Sequence, residues 1–414
     1  MKFADPRPIK DYCLGIYDGP HATPKEAGDG PVFLGIKNIT DDGALDLSEI
    51  RHVSEEEYPR WTRRVTPQAG DVVFTYEATL HRYAIIPDGF RGCLGRRVAL
   101  VRPDPAQVDS RYLLYYFLSR GWRQVIESNV ITGATVDRVP VEKFPLFPAA
   151  LPWLRIQQQI ADILSAYDDL IENNRRRMAL LEDAARQLYR EWFVRFRFPG
   201  HEHTPLTSGL PQGWAKSTLS SVCLPDIGIQ TGPFGSQLHQ AEYAETGVPV
   251  VMPKGMINLR IDTSSIARVP EEVAERLSRH RMQEGDVAYG RRGDIGRRAF
   301  IGKRQTGWLC GTGSLRLRPD PHRISARYFF DALGSPQTFG TIASRAKGAT
   351  LPNLNATVME TVPLLLPPRA LQDIYTETVQ PMADQVEILS EQNEKLRAAR
   401  ELLLPRLMSG EIAV

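Results

Sequence analysis

The chain has only four cysteines in 414 residues, and Cys13, Cys93, Cys223 and Cys310 form no Cys-x-x-Cys pair. That scatter excludes a disulfide framework or a zinc knuckle and leaves each thiol as a small buried apolar side chain. The eight histidines show no ligand spacing beyond His201-x-His203, which lies in a polar stretch and is read as solvated. No apolar run approaches the roughly 20 residues that cross a bilayer. The start, Met1-Lys2-Phe3-Ala4-Asp5-Pro6, has an acid and a proline where a signal peptide needs an apolar stretch. A cytoplasmic protein with no membrane partner is expected. Also missing are a Walker-type phosphate loop and an Asp/Asn-Pro-Pro-aromatic methyltransferase motif, since Pro367-Pro368 has the wrong neighbours. No catalytic residue, no metal and no bound cofactor are expected. Net charge is only +2, so a nucleic-acid role must rest on local basic clusters.

What is present is a duplication. At this length two or three domains are expected. Gly70-Asp71-Val72 recurs as Gly285-Asp286-Val287, 215 positions on, and Gly133-Ala134-Thr135 recurs as Gly348-Ala349-Thr350 at the same offset. Arg102-Pro103-Asp104-Pro105 recurs as Arg318-Pro319-Asp320-Pro321, and Arg111-Tyr112 as Arg327-Tyr328, both 216 positions on. Matches in one order at nearly one spacing mark two copies of one module. Each copy opens with short apolar runs broken by Gly, Pro and Asp, such as 32–36, 71–75 and 98–101, which predict strands joined by turns. A short helix is predicted near 111–118 and again near 326–333. A proline-punctuated exit, 144–148 or 362–368, leads into a long helix. The boundaries read as a module over 1–150, a long helix over 151–197, a polar linker over 198–210, a second module over 211–368 and a second long helix over 369–414.

No Pro or Gly interrupts 156–193, and apolar residues recur there at heptad spacing. One row is Ile160, Tyr167, Asn174, Leu181 and Leu188; the other is Leu164, Ile171, Met178, Ala185 and Trp192. The second copy repeats the pattern with Met382, Leu389, Leu396 and Leu403, and with Val386, Asn393 and Leu407. Arg400 breaks the latter row, and Pro381 and Pro405 are expected to interrupt or end the helix. At about 1.5 Å per residue the first helix spans roughly 57 Å, more than a compact module can cover. The two stripes are therefore expected to bury one another as an antiparallel coiled coil, with Asn174 and Asn393 meeting to set its register.

Several segments suit groove reading. Gly290-Arg291-Arg292-Gly293-Asp294-Ile295-Gly296-Arg297-Arg298 sets four arginines among three glycines, where Arg can pair bidentately with guanine and Gly allows close backbone approach. The alternative is a solvated turn with arginines pairing acids such as Asp294. Aligning Thr75 with Gly290 brings Glu77 into the counterpart segment and sets Arg82 opposite Arg297. Thr135 and the pair Lys347 and Thr350 sit in small-residue loops able to donate to phosphate, although each is also an ordinary turn. Gln230 is a candidate for adenine, and Thr231 and Ser236 lie in the same stretch. Lys37, Asn38 and Lys254 follow the short apolar strand of each copy. Arg175, Arg176 and Arg177 lie mid-helix, where a solvated face is the ordinary meaning.

Several strings resemble a known family. Leu170-Ile171-Glu172-Asn173-Asn174-Arg175-Arg176-Arg177 through Leu188-Tyr189-Arg190-Glu191-Trp192-Phe193 resembles the central helical region of type I restriction-modification specificity subunits. Asn393-Glu394-Lys395-Leu396-Arg397 with Leu402-Leu403-Leu404-Pro405-Arg406-Leu407-Met408-Ser409-Gly410-Glu411-Ile412 is similar to their C-terminal region. Asp18-Gly19-Pro20-His21-Ala22-Thr23-Pro24 and Thr231-Gly232-Pro233-Phe234-Gly235-Ser236 resemble the lead-in segments of their target-recognition domains, and Pro211-Gln212-Gly213-Trp214 precedes the second of these. The resemblance implies an α+β fold: two tandem mixed α/β target-recognition domains at opposite ends of an antiparallel helical pair, related by a pseudo-two-fold axis. It implies a non-enzymatic, DNA-binding subunit whose partners are double-stranded DNA, two modification (methyltransferase) subunits and restriction subunits. S-adenosylmethionine, ATP and Mg would belong to those partners. A coiled-coil adaptor that never touches DNA and a self-contained methyltransferase or nuclease are the competing readings. The first copy departs from the family pattern, with Thr75-Tyr76-Glu77-Ala78-Thr79-Leu80-His81 where a Gly-rich segment stands in the second, so contact positions do not transfer directly.

Overall fold

The computed structural model describes residues 5–132, 136–346 and 353–414. It is a mixed helix-and-sheet, α+β protein whose chain forms two compact units. The first comprises Met1–Arg176 with Leu389–Val414, and the second Arg177–Ile388. Each long helix thus contributes one part to each unit.

In the first unit an antiparallel sheet has the strand order Cys13–Asp18, Val98–Pro103, Val72–Thr75, Tyr83–Ile85. The second unit repeats it with Ile229–Thr231, Ser314–Leu317, Val287–Gly290, Arg298–Phe300. Both central strands are buried on both faces, which suits their β-branched and aromatic residues. Their side chains alternate between two cores. Val72 and Phe74 enter the larger core and Val73 the smaller; in the second unit Val287 and Tyr289 enter the larger and Ala288 the smaller. A three-stranded sheet accompanies each, Arg51–His52, Ala27–Leu34, Gly92–Leu94 in one and Ala267–Val269, Val248–Val251, Leu309–Cys310 in the other, with one antiparallel and one parallel pairing.

The recurring Gly-Asp and Arg-Pro-Asp motifs are structural. Arg102 pairs bidentately with the buried Asp71, both N–O distances 2.8 Å, and Arg318 with the buried Asp286 at 2.7 Å. Asp71 also accepts from the Gln68 amide and Asp286 from the Gln283 amide, each at 2.8 Å. These ties, three hydrogen bonds to each carboxylate, clamp a turn to the neighbouring strand. The short helices Ser110–Leu118 and Ala326–Ala332 start on Asp109 and Ser325, whose side chains accept from the first-turn amides.

The long helices run over Leu154–Tyr189, followed by one π-helical turn Arg190–Val194, and over Arg369–Met408. The second row named above, Leu164, Ile171, Met178, Ala185 and Trp192, is buried throughout, whereas Tyr167, Leu181 and Leu188 are half-buried. Within the first unit, Leu407 packs with Ile160 and Leu164. Asn174 Nδ2 donates to Asn393 Oδ1 at 3.0 Å, and Asn393 Nδ2 to the Ile171 carbonyl at 3.3 Å. Arg400 pairs with Asp168, so the charge that interrupts its row is neutralised. Within the second unit, Trp192 and Phe193 pack on Tyr375 at ring-centroid distances of 5.9 and 4.9 Å. In the first unit these contacts run antiparallel, Asn174 meeting Asn393 and Asp168 meeting Arg400.

Two expectations are corrected. Pro381 and Pro405 neither interrupt nor end the second helix, which continues through both. Each removes one backbone N–H, but the stripe on either side is held in core: Val379 and Met382 around the first, Leu403, Leu404, Leu407 and Met408 around the second. The stretch after the first long helix is no free linker either, because Phe196 meets Trp214 edge-on at 5.2 Å and Phe198 meets it tilted at 5.4 Å. Among the described residues no helix is long and apolar enough to cross a membrane.

Candidate nucleic-acid interface

In the second unit the Gly290–Arg297 hairpin turn is closed by backbone bonds. Gly290 N donates to Arg297 O at 2.7 Å, Arg291 N to Gly313 O at 2.9 Å, and Leu354 N to Arg291 O at 2.8 Å. Gly293 (φ 77°) and Gly296 (φ 103°) adopt left-handed backbone conformations, which is why glycine stands there. The Thr231–Ser236 lead-in is pressed onto the same place. Gly232 N donates to Ser314 O at 2.9 Å, and a Cβ on Gly232 would lie 2.0 Å from the Gly311 carbonyl oxygen. Arg291 is only 9% exposed. It donates to Asn353 Oδ1 and the Leu354 carbonyl, both at 3.2 Å, and lies 5.4 Å over the Phe234 ring. Three loops, 231–236, 290–297 and 311–313, therefore form one surface, on which Arg292, Phe234 and Ser236 are exposed.

The first unit builds the same surface from different residues. Tyr76 N donates to Arg97 O at 3.2 Å, Val139 N to Tyr76 O at 2.7 Å, and Gly19 N to Val98 O at 2.9 Å. Glu77 bridges Arg138 as Arg292 bridges Asn353. Ala78 (φ 69°) and His81 (φ 63°) take the left-handed conformations of Gly293 and Gly296, and Arg97 (φ 73°) that of Gly313 (φ 83°). The departure at Thr75–His81 thus leaves the backbone path unchanged. Each L-residue in that conformation costs about 1–2 kcal/mol, small enough for the surrounding bonds to impose.

The candidate residues divide by engagement. Asn38 is turned inward: it accepts from the Gly35 amide and donates to the Asp46 and Glu49 carbonyls, at 3.0–3.1 Å, which shapes the loop after its strand. Arg82 donates to the Ile36 and Ile39 carbonyls at 3.4 and 3.2 Å. Gln230 accepts from the buried Arg316 at 3.1 Å and contacts His280 Nδ1 at 3.4 Å. Arg291 is engaged as described. In this conformation these four shape loops rather than project from them. Lys37 pairs with Glu49 at 3.3 Å and Arg297 with Asp294. Glu77 pairs with Arg97 at 2.8 Å. Thr231 is half-buried, and Ser236, Lys254 and Arg292 are exposed. Thr135, Lys347 and Thr350 lie outside the described residues. Arg175 and Arg176 pair with Asp42 and Glu172 at 3.3 and 2.9 Å, and Arg177 is exposed.

Burial, reinforced by Arg279 and Arg316, pulls His280 down to about 4, so this imidazole is neutral. Among the described residues no group of His, Cys, Asp or Glu is placed to hold a metal. The sequence reading passed over Gly95-Arg96-Arg97, which stands where the second unit has Gly311-Thr312-Gly313. The repeat offset of 216 aligns the two turns, and that alignment was the available signal.

Comparison with known proteins agrees with this geometry. The sequence model described as the type I restriction modification DNA specificity domain matches residues 38–183. The chain is 23% identical over 414 residues to the type I restriction enzyme MjaIX specificity subunit of Methanocaldococcus jannaschii, covering 98% of this chain and 89% of the relative. It is 21% identical to the putative MjaX specificity subunit of the same organism, covering 99% and 93%. The fold is similar to that of the type I restriction-modification S subunit from M. genitalium, with a TM-score of 0.57 at 17% identity over 98% of this chain and 96% of that one. The chain thus matches the type I restriction modification DNA specificity domain over residues 38–183, and is similar from end to end to specificity subunits of type I restriction enzymes.

Proposed function

We propose that the chain is the non-catalytic, DNA-reading scaffold of a type I complex, and that its two units read the two parts of an asymmetric, interrupted target. Target-recognition domains over 1–150 and 211–368 would read bases, and the long helices 151–197 and 369–414, paired as an antiparallel coiled coil with pseudo-two-fold symmetry, would set the unread gap. The observation that carries this reading is the pair of loop platforms with one backbone and different side chains. Equal scaffolds present equivalent positions to a groove; unequal side chains at those positions call for unequal bases. Two modules on one face of a duplex are most easily placed about one helical turn apart, roughly 34–36 Å. Two modification subunits would dock on this chain and bring S-adenosylmethionine, and restriction subunits would bring ATP and Mg chemistry. The chain itself would bind no cofactor and would act in the cytoplasm.

The test is to map methylated bases in cells carrying the modification genes with and without this chain. A two-part, non-palindromic motif with a fixed gap that vanishes with the chain is expected. A short, continuous, palindromic motif refutes the reading.

A further inference from the structure

The two platforms carry their cations on different loops: Arg292 is exposed in the second unit, and in the first Arg96 is exposed and Arg97 half-buried. In the second unit Arg292 projects from the hairpin turn, and the neighbouring turn, Gly311-Thr312-Gly313, is uncharged. In the first unit the hairpin offers Glu77 at that position, and the neighbouring turn has become Gly95-Arg96-Arg97. The two loops touch through the same backbone bond, Tyr76 N to Arg97 O or Arg291 N to Gly313 O. The cation has moved by one loop on an otherwise equivalent surface.

We infer that Arg97 is the base-reading arginine of the first unit, aimed at a guanine edge, and that Glu77 is its positioning residue. This rests on the proposed reading of DNA and deepens it.

Three observations carry the assignment. First, Arg97 holds φ 73° where the second unit has a glycine, so its backbone is strained for a side chain that a glycine would spare. Ala78 and His81 bear the same strain, so it supports the assignment only beside the geometry that follows. Second, Arg97 Nε is buried and forms an ion pair with Glu77 Oε1 at 2.8 Å, without hydrogen-bond geometry, while the side chain as a whole is 30% exposed. The exposure therefore belongs to the remainder of the side chain. A carboxylate beside Nε holds the guanidinium in place by charge, leaving its terminal nitrogens to form the two parallel bonds that guanine O6 and N7 accept. Third, Arg82, the basic residue of the hairpin itself, is turned back on the Ile36 and Ile39 carbonyls.

The experiment uses the full chain with its modification subunits, reading the methylated motif base by base, alongside thermal melting of the purified chain. Arg97→Gly removes the side chain and relieves the left-handed backbone, so Tm is expected to hold or rise. In the same variant discrimination at one G·C pair of one half-site should fall roughly 5- to 150-fold, with the other half-site unchanged. Such a variant separates readout from folding, because a merely structural arginine would lower Tm when removed. Arg97→Lys keeps the charge but not the fork, and is expected to retain DNA binding while losing most of that discrimination. Glu77→Gln removes the charge that holds the guanidinium and should weaken the same base pair by a smaller factor. An unchanged motif in Arg97→Gly, or full discrimination in Arg97→Lys, overturns the assignment while the DNA reading stands. If the unaltered chain directs no two-part motif, the underlying reading fails and the assignment with it.

Discussion

Ala78, His81 and Arg97 in the first unit and Gly293, Gly296 and Gly313 in the second trace the same turns with opposite local chemistry. Glycine reaches those left-handed angles freely, whereas the three L-residues are held there by the hydrogen bonds around them. The backbone path is thus a property of the module, set by two sheets and a clamped turn, while the residues on it are free to diverge. A protein that reads two different half-sites, as proposed above, would need that division of labour: swapped side chains would change the base preference while the strands beneath keep the loops in place.

The comparison is broken most severely at the clamp. Asp286→Ala leaves Arg318 buried without its partner and is expected to destabilise the second unit by about 3–5 kcal/mol. Asp71→Ala should do the same to the first. Urea unfolding followed by hydrogen exchange should locate each loss in its own unit, and a loss spread evenly over both would deny that the units are separately built.

Next comes pH. His280 is buried beside Arg316 and Gln230, and the first unit has Val65 at that offset. The unfolded imidazole binds a proton below about 6.5, the folded one only near 4, so the unfolded state holds more protons in that window and stability falls as pH drops through it. The loss should reach about 2–3 kcal/mol by pH 4. Melts of His280→Val should show a shallower decline from pH 6.5 to 4.5 than those of the unaltered chain; equal slopes would remove this difference between the units.

Smaller, and confined to readout, is Arg292→Ala. It should relax one base pair of the second half-site by about 1–3 kcal/mol and leave the first untouched, as judged from the methylated motif. Arg291→Ala, by contrast, should lower Tm, since that side chain ties Asn353 and Leu354 to the hairpin.

The glycines sharpen the comparison further. A Cβ on Gly293 meets nothing within 4 Å, so Gly293→Ala should cost about 1–2 kcal/mol from backbone strain alone. A Cβ on Gly296 would also meet Phe339 Cε2 at 2.4 Å, so Gly296→Ala should melt lower. The converse changes, Ala78→Gly and His81→Gly, should raise Tm modestly. The smallest change in stability is expected at the asparagine pair. Asn174→Leu with Asn393→Leu should keep or slightly raise Tm, while the double variant accepts DNA targets with altered gap lengths. Binding that still demands the original gap would deny the pair a register role.

The duplication was legible in the chain because identical turns need identical residues: Gly70-Asp71 and Arg102 recur since a buried ion pair leaves no latitude in its partners. The long helices, their buried stripe and the asparagines were likewise written in heptad spacing, because helical period depends on local geometry alone. Burial of individual candidates was not. Asn38, Arg82, Gln230 and Arg291 have the residue types that touch DNA, yet each bonds polar groups made adjacent only by folding: carbonyls for Asn38, Arg82 and Arg291, and the Arg316 guanidinium for Gln230. Pro381 and Pro405 looked like helix ends because propensity is local, whereas the packing of Val379, Leu407 and Met408 that overrides it is not. By itself the sequence determined the repeat, the period of the helices and the kind of surface chemistry available. Only the tertiary structure decided that the loops of the two units share one backbone, and that Glu77, 20 positions from Arg97 in the chain, stands 2.8 Å from it, because strand pairing joins residues that no sequence period connects.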